Sequence, residues 1–336
     1  MSDLKGRPTG ELIFDYVQGK TVATTSFARY PLKLISATRA SNARCAWVYT
    51  LGYGGGAVWG DQVTISCSVG EECTAALTTQ GSTKVYKRRS KKIPDSTAAV
   101  LKPEAHCASQ SLRALVSKGG LLAVVPEPVT CFKDSSFRQH QRFSLERGAS
   151  LVLVDWLTSG RMSRGEGWEF SRLESRNEVM VQTSDMGDSK GECCWTPLVL
   201  DALVLEELAG LSIRERMLGM NVVGVVVLLG PRVAGLVSSL LEQETRRRSS
   251  FPPGLEEPRG PQVRQSGREC TRDTEGKTLC SVSPLQGGCG SWCQGLVCRF
   301  AAERTEDART MLHDLLLPLQ ETLGGREPYI REGGPC

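Results

Sequence analysis

The chain has 336 residues, 40% of them hydrophobic, which is enough for one large domain or two ordinary ones with a real core. Its 41 basic and 37 acidic residues nearly cancel, leaving a net charge of +4, too even a balance to signal nucleic-acid binding. Thirteen cysteines, an odd number, argue against a complete disulfide framework and are read as reduced thiols.

The N-terminus carries Asp3, Lys5, Arg7 and Glu11 with no apolar stretch after them, so no secretory signal is visible and a cytoplasmic location is expected. Residues 1–25 are expected to be a flexible lead-in, and residues 26–330 one domain. Leu32-Lys33-Leu34-Ile35 and the stretch from Cys45 to Leu51 read as strands. Gly52-Tyr53-Gly54-Gly55-Gly56 lacks the lysine of a phosphate-binding loop and reads as a turn needing positive φ. Val63, Ile65, Cys67 and Val69 alternate with Thr64, Ser66 and Ser68, the period of a half-buried strand. The basic run Lys84, Lys87, Arg88, Arg89, Lys91 and Lys92 has only Tyr86 beside it for stacking and reads as a solvated loop.

Further on, Leu121 to Val125 and Leu151 to Leu157 are short apolar runs bounded by Pro126 and Gly160, as interior strands are. Glu178 to Gln182, Leu198 to Glu206 and Val222 to Leu229 continue the series, and Thr183 to Thr196 reads as a surface loop. Strands outnumber helices, which predicts a mainly β, antiparallel-rich architecture. The longest apolar stretch, Asn221 to Leu241, is broken by Gly230-Pro231-Arg232. A strand running into a helix explains it better than a membrane span, because lipid burial of that arginine costs about 2.5–3.5 kcal/mol.

Two helices are predicted near the end. Val233, Leu236, Val237, Leu240 and Leu241 form one apolar face. Ala308, Met311, Leu312, Leu315, Leu316, Leu319 and Leu323 form another, starting near Thr305, kinked at Pro318 and stopped by Gly324-Gly325. Residues 245–290, rich in Arg, Pro, Gly and Ser, are expected to be a disordered insertion.

No catalytic constellation emerges. The three histidines, His106, His140 and His313, stand in no serine or cysteine triad context, so no enzyme is expected. Cys280, Cys289, Cys293 and Cys298 are the best thiolate metal candidate, yet they lack the paired knuckles of a zinc ribbon. Asp155 lies inside Leu151-Val152-Leu153-Val154-Asp155-Trp156-Leu157, where a charge is costly unless paired or solvated in a cavity. Arg161 and Glu166 follow closely. An Asp155–Arg161 ion pair closing a turn and a polar cavity lined by oxygen ligands both fit, and an acid–base pair of Asp155 with Glu166 is a third reading. Oxygen-only sites hold divalent metals weakly, which suits passing an ion on better than keeping it.

The chain resembles the urease accessory protein family UreD, also called UreH. The resemblance is carried by Tyr30-Pro31-Leu32-Lys33-Leu34, by Tyr53-Gly54-Gly55-Gly56-Ala57-Val58-Trp59-Gly60-Asp61, and by Leu77 through Thr78-Thr79-Gln80-Gly81-Ser82-Thr83-Lys84-Val85-Tyr86. It continues in Val125-Pro126-Glu127-Pro128-Val129 with Phe132, in Gln139, and in Asp155 with Gly160-Arg161 and Gly165-Glu166-Gly167-Trp168. It spans about residues 27–230, and more faintly 297–329; residues 245–290 have no counterpart in it. It implies a mainly β, elongated, layered and β-helix-like fold with two C-terminal α-helices. It implies a scaffold that binds UreF, the GTPase UreG and apo-urease, with no permanent cofactor, and that helps deliver Ni2+ through an internal polar tunnel. Asp61, Asp155 and Glu166 would be its acidic positions, Arg161 their charge partner, and Thr78, Thr79, Gln80, Lys84 and Gln139 the residues shaping the route.

Overall fold

The computed structural model describes residues 7–37, 44–87, 107–183, 194–208, 210–249, 276–285, 291–325 and Tyr329. Eighteen strands and three α-helices are present among them. In chain order the strands are β1 (Gly10–Val17), β2 (Lys20–Ala28), β3 (Leu32–Ser36), β4 (Ala46–Gly52), β5 (Gly56–Ala57), β6 (Gln62–Val69), β7 (Thr74–Thr78), β8 (Thr83–Val85) and β9 (Ala108–Val116). They continue with β10 (Leu121–Val124), β11 (Val129–Cys131), β12 (Ser136–Leu145), β13 (Ser150–Thr158), β14 (Arg172–Gln182), β15 (Trp195–Glu206), β16 (Val222–Leu229), β17 (Thr278–Leu285) and β18 (Gly295–Ala302). The helices are α1 (Ile213–Arg216), α2 (Ala234–Ser249) and α3 (Thr305–Leu316).

Two sheets face each other. The seven-stranded sheet runs β15-β14-β12-β9-β6-β1-β2, and the spine of the eleven-stranded sheet runs β17-β18-β16-β13-β10-β7-β4-β3. Successive turns of the chain give one strand to each: β4 and β6, β7 and β9, β10 and β12, β13 and β14. The strands stack in parallel from turn to turn, as β6 on β9 and β9 on β12, or β7 on β10 and β10 on β13. Short β5, β8 and β11 form a third parallel ladder at the bend between the sheets. The mainly β, β-helix-like class with extensive antiparallel pairing is therefore correct, and the structure adds that both sheets are mixed. The middle of both sheets is parallel, and antiparallel pairs occur at their flanks, as β1 with β2, β14 with β15, and β16 with β18. Local alternation reports burial but not direction, which is set by how the chain returns to the sheet.

One core fills the space between the sheets, with Leu12, Phe14, Ile65, Leu122, Phe143, Leu151, Leu153 and Val227 fully or almost fully buried. A second lies on the other face of the eleven-stranded sheet, where α2 and α3 cover Val152, Val154, Trp156, Val226, Leu228 and Phe300 with Val237, Leu312 and Leu316. Burying each such side chain stabilises the fold by about 1.5–3 kcal/mol. The apolar stripe of the last helix is thus core. Pro318 does not kink that helix but ends it: α3 stops at Leu316 and a tight 3-10 turn, Leu317–Leu319, follows.

Two further expectations are corrected. The first 25 residues are not a flexible lead-in as a whole, because β1 and most of β2 lie within them, with Leu12 and Phe14 in the core. The stretch 245–290 is not uniformly disordered, because it begins in the last turns of α2 and contains β17, paired along its length with β18. Residues 250–275 and 286–290 of that stretch, most of the 183–196 loop, and Arg88 to Lys92 of the basic run lie outside the described residues. No helix among the described residues is long and apolar enough to cross a membrane.

Candidate functional site

Period-two alternation decides which side chains enter the space between the sheets. On β12 these are Phe137, Gln139, Gln141, Phe143 and Leu145, all buried. On β14 they are Leu173, Ser175, Asn177, Val179 and Val181, also buried. Opposite them on β13, Leu151, Leu153 and Asp155 share one face, so the carboxylate points inward from the eleven-stranded sheet. Cross-strand register aligns Gln110, Gln139 and Ser175 in one row and Gln141, Asn177 and Asp201 in the next. A polar seam therefore crosses the otherwise apolar interior along the stacking direction.

Asp155 is its centre. Oδ1 accepts from Nε2 of Gln139 at 2.9 Å, and Oδ2 accepts from Oγ of Ser175 at 2.5 Å and Nδ2 of Asn177 at 2.8 Å. Gln141 donates onward to Oδ1 of Asn177 at 3.0 Å. Burial pushes the Asp155 carboxyl above its ordinary value, and these three donors only partly oppose that; the Asp201 carboxylate adds to the rise. Asp201 itself accepts from Arg299 of β18 at 2.8 Å, a bond that ties the two sheets together at the far end of the seam.

At the near end the seam meets two hollows. The inner one, about 40 Å³, is lined by Asp155, Gln139, Gln141, Thr78, Thr79 and Glu127, among others. The outer one, about 430 Å³, is a cleft lined by Asp61, Gln80 and Lys84, among others. Thr50, Thr79, Thr83 and Gln110 line both, so they form a shared waist. Thr78 donates to the carbonyl of Val125 at 2.8 Å, and Thr79 Oγ1 accepts from the backbone of Glu127 at 2.9 Å. Glu127 is in turn held by Arg309 of α3 at 2.7 Å. Asp61 closes its own turn by accepting from the Val58 amide at 2.9 Å. The glycine-rich stretch before it turns through Gly54 (φ 77°) and Gly55 (φ 75°), as expected. Gly56 then lets β5 press against β8; a Cβ there would lie 2.2 Å from the Lys84 carbonyl oxygen.

The structure thus gathers Asp61, Thr78, Thr79, Gln80, Lys84, Gln139 and Asp155 around two adjoining hollows. It does not bring Glu166 or Arg161 there. Arg161 is not the charge partner of Asp155; it leaves the strand at Gly160 and grips Glu166, from Nε to Oε2 at 2.8 Å and from Nη2 to Oε1 at 2.5 Å. The guanidinium also lies over the Phe132 ring, and its bonds hold the Glu166 carboxyl below the usual value. Glu166 lines neither hollow, which removes the reading of Asp155 and Glu166 as an acid–base pair facing one substrate.

The thiolate cluster does not assemble as expected either. Cys280 and Cys298 touch, Sγ to Sγ at 3.1 Å, but Cys293 packs in the core between the sheets and Cys289 lies outside the described residues. Among the described residues no three His, Cys, Asp or Glu side chains converge as a metal site. Cys67, Cys73, Cys107, Cys131, Cys194, Cys280 and Cys298 are in no disulfide. His106 lies outside the described residues, while His140 faces Glu178 on the outer surface at 3.3 Å and His313 adjoins Asp314 on α3.

Sequence reasoning missed Gln110, Gln141, Ser175, Asn177 and the Asp201–Arg299 link. The signal was available in β12, where glutamines occupy two inward positions of Phe-x-Gln-x-Gln-x-Phe.

Comparison with known proteins bears on the family. The family model described as UreD urease accessory protein matches residues 8–333, beyond the span that the motifs alone carried. The chain is similar to urease accessory protein D of Oryza sativa subsp. indica, at 35% identity over 94% of each chain. It is likewise similar to urease accessory protein D of Arabidopsis thaliana, at 33% identity over 96% of this chain and 99% of the relative. A bacterial relative, urease accessory protein UreD of Anaeromyxobacter sp. (strain Fw109-5), is 32% identical over 94% of this chain and 86% of its own length.

Proposed function

The chain belongs to the UreD urease accessory protein family, and from that premise we propose that it is a cytoplasmic nickel-transfer scaffold without turnover of its own. It assembles with UreF and the GTPase UreG on apo-urease and gives Ni2+ a polar way through its interior. The observation that carries this reading is the continuity of the outer cleft with Asp155 through the waist of Thr50, Thr79, Thr83 and Gln110.

The donors along this way are carboxylate, hydroxyl and amide oxygens, with no imidazole or thiolate. Such a set binds a divalent ion weakly and exchanges it fast, as cargo requires. Asp61 attracts the ion to the cleft. Asp155, whose pKa is raised by burial, gives up a proton as the ion arrives, so passage is proton-coupled. Gln139, Ser175 and Asn177 hold the carboxyl group when no ion is present and can turn their oxygens toward one that is. A permanent thiolate zinc site is the weaker reading, because of its three described cysteines only Cys280 and Cys298 meet.

The test is reconstitution of urease activation from purified components. Asp155→Ala and Asp61→Ala proteins that still join UreF should activate poorly, and Glu166→Ala should activate normally. Normal activation by both aspartate variants would end the carboxylate-route reading while leaving family membership intact.

A further inference from the structure

The two sheets are finished differently. The outer face of the eleven-stranded sheet is covered by α2 and α3. Among the described residues no helix covers the outer face of the seven-stranded sheet, and its side chains form an ordered charged surface. Arg113 of β9, Arg138 and Arg142 of β12, and Arg172 and Arg176 of β14 all stand on it.

Most of these cations are neutralised within the face. Arg138 pairs with Glu174 at 3.3 Å, Arg172 with Glu174 and Glu206, and Arg176 with Glu178 at 2.6 Å. Arg113 and Arg142 are the exception. They are direct cross-strand neighbours in register, both exposed, and neither makes an ion pair among the described residues. The acid on the other side of Arg142 in that row, Glu178, is already taken by Arg176 and His140. Like charges placed directly opposite destabilise a sheet. Nothing in the fold requires arginine at two exposed positions where serine or threonine, as at Ser66 and Ser144, would serve.

The character of the partner follows from what surrounds the pair. Leu115, Leu200 and Val204 are large apolar side chains exposed on the same face, the last two on the edge strand β15. Arginine beside exposed apolar area is the composition of protein–protein interfaces. The interleaved Glu174, Glu178 and Glu206 would repel a phosphate backbone, and among the described residues no Phe, Tyr or Trp faces outward on β6, β9, β12 or β14, around Arg113 and Arg142, to offer a base a stacking surface.

We propose that this bare face, centred on Arg113 and Arg142, is a docking surface for a folded protein with an acidic patch, whose carboxylates complete the ion pairs that the chain leaves open. The proposal rests on the scaffold reading above, since it supplies that scaffold with a contact surface distinct from the cleft at Asp61. Docking here leaves the cleft and waist free for the ion.

The experiment measures association of the full chain with UreF, UreG and apo-urease as a function of salt, for wild type and for Arg113→Glu/Arg142→Glu. The double variant should bind about tenfold or more weakly and with a flatter salt dependence. In the uncharged Arg113→Gln/Arg142→Gln variant the melting temperature should be unchanged or higher, because the mutual repulsion is gone, whereas two glutamates would repel each other and Glu178 in turn. If the charge reversal fails to fold, Arg113→Gln/Arg142→Gln is read by the same criteria. Binding of the variant with wild-type affinity and salt dependence overturns the docking face alone. A wild-type chain that joins none of the three proteins overturns the scaffold reading and this proposal together. Tight, Arg113- and Arg142-dependent capture of a DNA or RNA duplex would assign the face to nucleic acid instead and overturn it.

Discussion

Replacing Asp155 by asparagine tests the buried carboxylate without changing its volume. In the wild type the group enters the folded state with a raised pKa, because desolvation outweighs the bonds from Gln139, Ser175 and Asn177. A carboxyl whose folded pKa exceeds its unfolded value binds more protons when folded. Its contribution to stability is therefore fully present below the ordinary value of 3.8 and is lost as pH rises through the folded pKa. In that window stability falls by about 1.4 kcal/mol per pH unit for this one group. Asparagine carries no charge and escapes the loss, though its amide cannot accept from all three donors and forfeits about 1 kcal/mol for a missing bond. Melting curves of both proteins between about pH 4 and 8 should show the asparagine variant level with or below the wild type in acid and above it at neutral pH, the gap changing by about 2–4 °C per kcal/mol. A difference between the two that stays constant with pH would refute the claim that Asp155 is held buried in a polar-lined interior.

Three other outcomes follow from the same geometry. Gly56→Ala should destabilise by about 1–3 kcal/mol in urea titration, since its Cβ meets the Lys84 carbonyl backbone rather than a movable side chain; an unchanged midpoint would contradict the packing of β5 on β8. Glu166→Ala should cost about 1 kcal/mol or less, as for other ion pairs within reach of solvent, and should leave nickel loading of urease untouched; failure to load would return Glu166 to the route. Cys67 and Cys131, whose thiols burial pushes up to about 12, should resist iodoacetamide until the protein unfolds, whereas Cys280, exposed and lowered by its bond with Cys298, should label in the native state; early labelling of Cys67 would show that the core is looser than described.

The elements with clean alternation or a clean stripe were legible in the sequence: β3, β4, β6, β10, β13, β16, and the helices α2 and α3. Strand β12 was not, and the reason bears on function. Its inward positions hold Gln139 and Gln141 between Phe137 and Phe143, so the polar seam erases the apolar rhythm by which a buried strand is recognised. The residues that make the site are the ones that hide the strand. Asp155 could be found because it interrupts an apolar run, whereas Ser175 and Asn177 could not, because polar residues in β14 are unremarkable until register sets them opposite Gln139 and Gln141. Arg161 was misassigned because closeness in sequence suggested a partner for Asp155. The chain turns outward at Gly160, with φ at 133°, and delivers the guanidinium to Glu166 instead. Parallel stacking was illegible for a related reason, since strand direction depends on long returns that no local pattern records.

The waist between the cleft and Asp155 offers the most direct test of the nickel route. Thr83→Trp and Gln110→Trp would fill the passage that both hollows share, while leaving Asp61 and Asp155 in place. The account predicts that folded variants still assemble with UreF, UreG and apo-urease, yet leave the enzyme with about tenfold less nickel per active site than the wild-type chain does, measured by elemental analysis after gel filtration. Urease loaded with nickel to the wild-type level by an assembled, waist-filled variant would contradict it.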